Sequence, residues 1–390
     1  MLQPTLVFVL LVAIAVAGAE VQRRMARRGL RLLTVEGPVW IGFGWILGNA
    51  ATGLFPDDIL DVLRAVVLVG LAWIGLVFGM QIDVSVMRRL ESWHRRVGLA
   101  LPTAVGFALL AAAYAASWPP ALALGLAALG MVSSPATIDA VARSRPPADR
   151  SAFRLLRMVS AFSGIPAVVM LGAASLMSCP LAALGGGVLP WWVPGIGQIA
   201  IGVLAGYSIV VLVRGVTDDI SLLTIVAGCV ALMAGAAALL GVSPLPTSVV
   251  AGAVVVNRCF FPQRVLRTAH SFERPLLVAM LVLVGATMSE LSFAWGVFVL
   301  LTLARFGANL MAGAWLRGLA RRQGHEITTP LIGNGLLAQG ALGMGMAVAL
   351  VNCLETHDGI LEAATAAIVT NQIAAEIWTR RVLFSEDGNQ

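Results

Sequence analysis

Ionisable side chains are scarce in the apolar parts of this sequence, and Arg305 stands out among them. It lies in the middle of a long apolar stretch, within the run Leu303-Ala-Arg-Phe-Gly-Ala-Asn309. A charge inside a membrane-spanning helix is costly and by default marks a functional site with a partner. The sequence leaves three roles open for Arg305: binding an anion, facing the carboxyl end of a helix, or reaching the membrane interface with its long side chain.

Asp139 is a second ionisable candidate, because it follows the helix-breaking residues Ser133-Ser134-Pro135 by four positions. It fits two hypotheses. In the first, its carboxylate carries a proton or a cation. In the second, it forms a surface ion pair with Arg143, which lies one helical turn further on.

The other candidate residues are neutral. Amide side chains hydrogen-bond between helices or coordinate a cation through their carbonyl oxygen, and hydroxyl groups can surround a substrate. Hydroxyls alone bind a bare cation weakly, since hard cations favour carboxylate and carbonyl oxygen. Together with Arg305 and Asp139, the predicted ion or substrate pathway comprises Ser133, Ser134, Pro135, Thr137, Ser163, Gly164, Asn309, Asn334 and Gln339.

The sequence has no pattern typical of an enzyme or of a bound cofactor. The four cysteines and four histidines are scattered and form no CxxC pair or zinc signature. HExxH and GxSxG motifs are absent, and no apolar stretch carries paired carboxylates. We therefore expect neither catalysis nor a cofactor, and we assign no metal ligands.

The composition is that of a membrane protein. Of the 390 residues, 59% are hydrophobic and 12% are charged, with a mean hydropathy of +0.90. Soluble domains are about 45–50% apolar and about 25% charged. A membrane-crossing helix needs about 20 apolar residues, and thirteen such stretches fill the chain and leave no room for a soluble domain. They are 4–20, 35–54, 60–82, 97–117, 120–142, 153–177, 197–213, 220–240, 245–257, 275–289, 294–316, 331–352 and 360–379.

The distribution of basic residues predicts the orientation of these spans. All 26 basic residues are arginines, and 24 of them fall in alternate loops, including 87–96 and 258–274. Only Arg64 and Arg305 lie elsewhere. The positive-inside rule places the arginine-rich loops in the cytoplasm, so thirteen spans put the N-terminus outside and the C-terminus inside. Arginines in short loops between apolar spans do not indicate nucleic acid binding.

The halves of the chain suggest an inverted repeat, a plan typical of secondary transporters. The first repeat would be residues 1–177, the linking seventh helix 197–213, and the second repeat 220–380, giving a 6+1+6 arrangement in one membrane domain. The fifth and twelfth spans then correspond, and both contain helix-breaking residues. Paired interruptions at matching positions are the best sequence indication of a transport site, with ordinary glycine and serine packing as the alternative.

Several runs resemble monovalent cation:proton antiporters, in the order expected for that superfamily. Two lie in the second and third spans, one at the break in the fifth, and three in the second half. They are Ile41–Gly48, Gly70–Asp83, Leu129–Thr137, Val250–Asn257, Glu273–Met288 and Gly335–Met344. The resemblance implies an all-α membrane fold with two broken helices that cross.

The sequence departs from this superfamily at its functional position. In those antiporters the sixth helix carries an acidic pair whose aspartate is the site for which sodium and protons compete. Ser163-Gly164 occupies the place of that pair here, and no carboxylate lies anywhere in 153–177. The charged position of the twelfth helix is Gln339-Gly340, which is also neutral. The chain resembles a divergent member that lacks the usual aspartate.

The resemblance implies a secondary active transporter of a bacterial-type inner membrane, assembled as a homodimer. Its fifth, sixth, eleventh and twelfth helices would move as a core against a dimerisation scaffold, with a monovalent cation and a proton as substrates. The missing aspartate leaves three alternatives. Asp139 has replaced it, or the substrate is different (an anion or a neutral solute), or the chain is a transport-inactive sensor or partner subunit.

Overall fold

The computed structural model describes residues 38–48, 57–144, 150–178, 192–288, 293–322, 332–354 and 359–384. All regular secondary structure in these ranges is helical. The first predicted span, 4–20, lies outside them. The helices are α1 (Pro38–Leu47), α2 (Asp57–Gly79), α3 (Val84–Arg89), α4 (Ser92–Ala115), α5 (Pro120–Met131), α6 (Pro135–Ser144), α7 (Arg150–Met177), α8 (Trp192–Leu212), α9 (Asp219–Leu239), α10 (Pro244–Arg258), α11 (Pro262–Ala286), α12 (Trp295–Val299), α13 (Arg305–Arg322), α14 (Gly340–Leu354) and α15 (Ile360–Phe384).

The described helices fit a multi-pass membrane protein. Eight stretches among the described residues are long and apolar enough to cross a membrane, when α2 is counted with α3, α5 with α6, and α12 with α13. A π-helical segment, Leu300–Ala304, joins α12 to α13, and a short 3-10 helix, Ile332–Leu336, precedes α14. The all-helical membrane fold is confirmed, while the number thirteen, the repeat and the orientation stay predictions.

Parts of several stretches predicted as loops are helical, including 87–89 and 92–96. Residues 258–274 were expected to connect two spans, but α11 begins at Pro262 and continues through Pro275. Proline has no N–H and crowds the preceding turn, so it resembles the start of a helix in the sequence. A membrane helix tolerates it, and the basic first half of α11 still buries Val265 and Ala269.

The helices pack into two groups. The core group consists of α4–α7 and α12–α15 with the intervening short segments, and the scaffold group consists of α1, α2 and α8–α11. The main contacts between the groups join α7 and α14 of the core group to α2, α8 and α10 of the scaffold group. This division places both interrupted spans within one group of helices.

Glycines allow the closest approach between helices of the scaffold group. A Cβ atom on Gly79 of α2 would collide with the carbonyl oxygen of Val249 on α10, and one on Gly252 of α10 would collide with that of Leu76 on α2. Small residues at these positions let two membrane helices pack backbone to backbone. The α2–α10 contact therefore forms a tight seam beside the core group.

Candidate functional site

Two broken helices meet at the centre of the core group. Helix α5 ends at Met131 and α6 begins at Pro135, while Gly340 begins α14 after the 3-10 helix. Proline disfavours a helical conformation in the residue before it, and Gly340 adopts a positive φ of 64° that favours glycine. These local preferences interrupt both spans, as the sequence predicted.

A backbone hydrogen bond joins the two interruptions. The N–H of Ser134 donates to the carbonyl oxygen of Ala338 at 2.7 Å. The side-chain amide of Gln339 adds a second link by donating to the carbonyl oxygen of Leu129 at 2.6 Å. The breaks therefore cross each other and are held together at that point.

Arg305 binds the carboxyl ends of both half-helices. It is 1% exposed. Its Nε donates to Gly130 O at 2.8 Å and one Nη donates to Val132 O at 2.6 Å, both at the end of α5. The guanidinium also donates to Leu337 O at 2.6 Å and Leu336 O at 3.3 Å, at the carboxyl end of the 3-10 helix. Of the three roles that the sequence left open, the geometry is that of a cation facing helix carboxyl ends.

A π-helical turn positions this arginine. Residues Leu300–Ala304 form the turn directly before Arg305, and the side-chain amide of Asn371 on α15 donates to Leu301 O within it at 2.8 Å. Such turns inside α-helices are uncommon and occur often at functional sites. Asn309, one turn after Arg305, donates back to the carbonyl oxygen of Arg305 at 3.1 Å and stabilises its own helix.

Ser163 supports the first break from α7. The N–H of Ser133 donates to Ser163 Oγ at 2.9 Å, and that hydroxyl donates to Ser160 O at 2.7 Å. A Cβ atom on Gly164 would collide with the ring of Phe78 on α2. Ser163 thus provides a neutral hydroxyl at the first break, and Gly164 allows a close contact between the core and scaffold groups.

A cavity of about 640 Å³ ends at the crossing. The first residues of α6 and α14 line its inner end together with Ser133, Ser134 and Gln339, and all three of these side chains are buried. Both half-helices therefore direct their amino ends towards this space.

Exposed residues of the scaffold group line the other end of the cavity. Gln81, His270 and Arg274 are exposed there, so this end is open to solvent. His270 Nδ1 lies 2.7 Å from Glu273 Oε2. Glu273 is the one carboxylate among the described residues that line the cavity.

Seven of the eleven predicted site residues do not line this cavity, among them Asp139, Thr137 and Asn334. Asp139 forms an ion pair with Arg157 of α7, at 3.2 Å, and not with Arg143. Thr137 accepts a hydrogen bond from Gln372 of α15 at 3.0 Å. Asn334 is fully buried, and neither atom of its side-chain amide has a hydrogen-bond partner among the described residues.

The scaffold side of the cavity was not predicted from the sequence. His270, Glu273 and Arg274 fall in the segment that was expected to be a loop, and Ser160 lies one turn before Ser163. A signal for Glu273 was present, since it begins one of the runs that resemble the antiporters. The contribution of Gln81 could not be found, because it depends on how α2 packs against the core group.

The fold is similar to that of a sodium/proton antiporter. The structure of the antiporter MjNhaP1 from Methanocaldococcus jannaschii at pH 8 has a TM-score of 0.65 to this chain, with 14% sequence identity and coverage of 98% of this chain and 99% of that one. An electron microscopy structure of the same antiporter has a TM-score of 0.61, also at 14% identity, and covers 100% of this chain and 99% of that one.

These matches confirm the fold that the resemblance predicted. A sodium/proton antiporter therefore shares this fold. The sequence itself matches no protein-family model and none of the curated proteins.

Proposed function

We propose that this chain is a secondary transporter of a small ion or solute, in which the core group moves against the scaffold group. One observation carries the proposal: a cavity that is open at one end terminates at the crossing of two broken helices. Broken helices expose backbone groups at membrane depth only where these line a cavity or are buried in protein. A purely structural bundle has no need of this costly arrangement.

The packing of the helices supports the inverted-repeat plan. In a 6+1+6 arrangement the second span corresponds to the ninth and the third to the tenth, which pairs α1 with α10 and α2 with α11. In an inverted repeat, each contact between two helices has an equivalent between their counterparts. The counterparts of α1 and α11 are α10 and α2, so a contact between α1 and α11 predicts one between α10 and α2. Both contacts are present, and glycines allow both.

The proposal includes the membrane orientation and assembly expected from the sequence. The 24 arginines in alternate loops favour an N-terminus outside and a C-terminus inside, in a bacterial-type inner membrane. Arg274 belongs to one of those arginine-rich segments, within α11, and lines the open end of the cavity, so the cavity faces the cytoplasm in this orientation. A homodimer is the assembly implied by the resemblance to the antiporters.

The ion chemistry of the proposed transporter differs from sodium and proton competition at one aspartate. The sixth-helix position is occupied by Ser163 and Gly164, and Asp139 is paired with Arg157 outside the cavity. We therefore expect Asp139→Asn to leave transport unchanged. This sets the proposal apart from the hypothesis that Asp139 has taken over the role of the missing carboxylate.

Charge displacement in proteoliposomes on a solid-supported membrane tests the proposal. We expect a transient current after a concentration jump of at least one of Na⁺, K⁺, Li⁺, chloride and nitrate, retained in Asp139→Asn and absent from protein-free vesicles. No current with any of these ions, from protein that elutes as a folded species, would contradict transport of small ions. It would favour the transport-inactive sensor or partner subunit.

A further inference from the structure

The hydrogen-bond acceptors at the crossing are already occupied by protein donors. Arg305 donates hydrogen bonds to four backbone carbonyls, two at the carboxyl end of α5 and two at the carboxyl end of the 3-10 helix. The side-chain amide of Gln339 donates to the carbonyl of Leu129, and the N–H of Ser134 donates to that of Ala338. A bare cation needs several oxygen ligands, and the carbonyls best placed to supply them are bound to N–H groups.

Donors, in contrast, remain at the inner end of the cavity. The first N–H groups of an α-helix have no partner within the helix. Ala136 of α6 and Gly340, Ala341 and Leu342 of α14 provide such positions, and all four line the cavity. Two helix amino ends that face one space favour negative charge there.

The hydroxyl of Ser133 is an indication of a ligand that is independent of the helix ends. Ser133 lines the cavity, is 6% exposed, and its Oγ has no hydrogen-bond partner among the described residues. A buried hydroxyl without a partner costs free energy. A ligand that accepts a hydrogen bond from it would remove that cost.

Acidic side chains are absent from the described partners of Arg305 at the crossing. Arg305 is buried, and its described partners are all carbonyl oxygens. Glu273, the described carboxylate of the cavity, is hydrogen-bonded to His270 beside the exposed end. The space between the half-helices therefore has the positive ends of two helix dipoles and a buried guanidinium nearby, without an acidic side chain.

Resting on the transport function proposed above, we infer that the substrate is a small monovalent anion, bound between the amino ends of α6 and α14 with Ser133 as a hydroxyl donor. One negative charge matches the partial positive charges of the two helix amino ends, about half an elementary charge each. A divalent anion would leave an excess negative charge in a medium of low dielectric constant, which is costly. Exposed Arg274 at the open end favours the entry of an anion.

Binding of radioactive chloride to the purified full chain tests this site without requiring transport. We expect saturable binding that unlabelled nitrate and formate displace, and that exchange of Na⁺ for K⁺ leaves unchanged. Ser133→Ala should weaken it about tenfold, because a lost hydrogen bond to a charged ligand corresponds to at least about one decade in affinity. Ser271→Ala is the matched control, since Ser271 lines the exposed end of the same cavity, and it should bind chloride as the parent chain does.

A second pair of variants keeps the test valid if Ser133→Ala does not fold. Ala341 is half-buried at the start of α14, where a carboxylate is favourable for the helix. Ala341→Asp should abolish chloride binding by occupying the site with a fixed negative charge, while Ala341→Asn should retain it. Absence of saturable chloride binding to the folded parent chain, or equal binding by both Ala341 variants, would overturn the inference.

The two proposals fail in different ways. Currents driven by Na⁺, K⁺ or Li⁺ from a protein that binds no chloride would leave the transport function standing and refute the anion site. Chloride binding without any ion-driven current would confirm the site and contradict transport.

Discussion

Arg305 is the residue on which the crossing depends most. It bridges the carboxyl ends of two half-helices with four hydrogen bonds from a fully buried position. A hydrogen bond to a charged group contributes about 1.5–3 kcal/mol, and lysine cannot reproduce the planar fork of arginine.

Substitution of Arg305 should therefore lower stability in a fixed order. We expect the temperature of unfolding in detergent to fall from the parent chain to Arg305→Lys and further to Arg305→Ala. The control is Arg380→Ala, which removes an exposed arginine paired with Glu376. It should change the temperature of unfolding little. Equal unfolding temperatures for Arg305→Ala and Arg380→Ala would show that the arginine does not hold the break.

Ser163 provides a second test at the same break. Ser163→Ala leaves the buried N–H of Ser133 without its acceptor, and an unsatisfied buried donor costs about 1–3 kcal/mol. Ser175 lies on the same helix, is equally buried, and donates only to Gly172 O. Ser175→Ala therefore leaves no buried N–H group without an acceptor. Chemical unfolding of both variants should show the larger loss for Ser163→Ala, and a larger loss for Ser175→Ala would refute this role of Ser163.

At the residue scale, the sequence predicted which groups matter better than it predicted their partners. Arg305 could be singled out because a lone charge in an apolar span is rare. Its four carbonyl partners lie about 30 and 175 positions away, and no local pattern specifies such contacts. The partner of Asp139 was mistaken for the same reason: Arg143 is near in sequence, but Arg157 is brought closer by the packing of α6 on α7.

At the scale of the elements, the interruptions were predictable and the extents of some helices were not. Pro135 and Gly340 act locally through their own backbone preferences, so both breaks fell where the sequence placed them. The helical segment 262–274 was not predicted, because a proline such as Pro275 is common at the start of a helix and suggested that the helix begins there. The π-helical turn Leu300–Ala304 has no composition signal, since it depends on contacts such as the one from Asn371.

The seam between α2 and α10 gives a prediction at this scale. Gly79→Ala should force the two helices apart and destabilise the chain by about 1–3 kcal/mol, as overpacking does. A Cβ atom on Gly228 of α9 would meet open space, so Gly228→Ala should be neutral or stabilise by up to about 1 kcal/mol through helix propensity. The free energies of unfolding of the two variants decide the matter, and a stable Gly79→Ala chain would contradict the close packing.

For the whole molecule, the proposed function requires the core group to move against the scaffold group. An ideal Cβ on Gly172 of α7 lies 3.6 Å from the Cβ of Pro246 on α10, within the range of about 3.5–4.5 Å for a disulfide. In a chain without the four native cysteines, Gly172→Cys with Pro246→Cys should therefore cross-link the two groups. Gly98→Cys with Phe162→Cys, at 3.4 Å, joins two helices of the core group and serves as the control.

Oxidation of these pairs should have opposite effects on transport. The inter-group disulfide should abolish the ion-driven current, and a reductant should restore it. The disulfide within the core group should leave the current in place, because it does not cross the moving boundary. An undiminished current from the fully cross-linked Gly172–Pro246 pair would exclude relative movement of the groups there.

The most direct test is the accessibility of the crossing from each side of the membrane. Ser133→Cys, in the cysteine-free chain, places one thiol at the inner end of the cavity, where a small charged thiol reagent can be added outside or inside sealed vesicles. We predict modification from both sides in the mobile protein, and from one side only when the Gly172–Pro246 disulfide is formed. Modification from one side alone, whether or not the disulfide is present, would contradict alternating access and identify the chain as a static membrane protein with an antiporter fold.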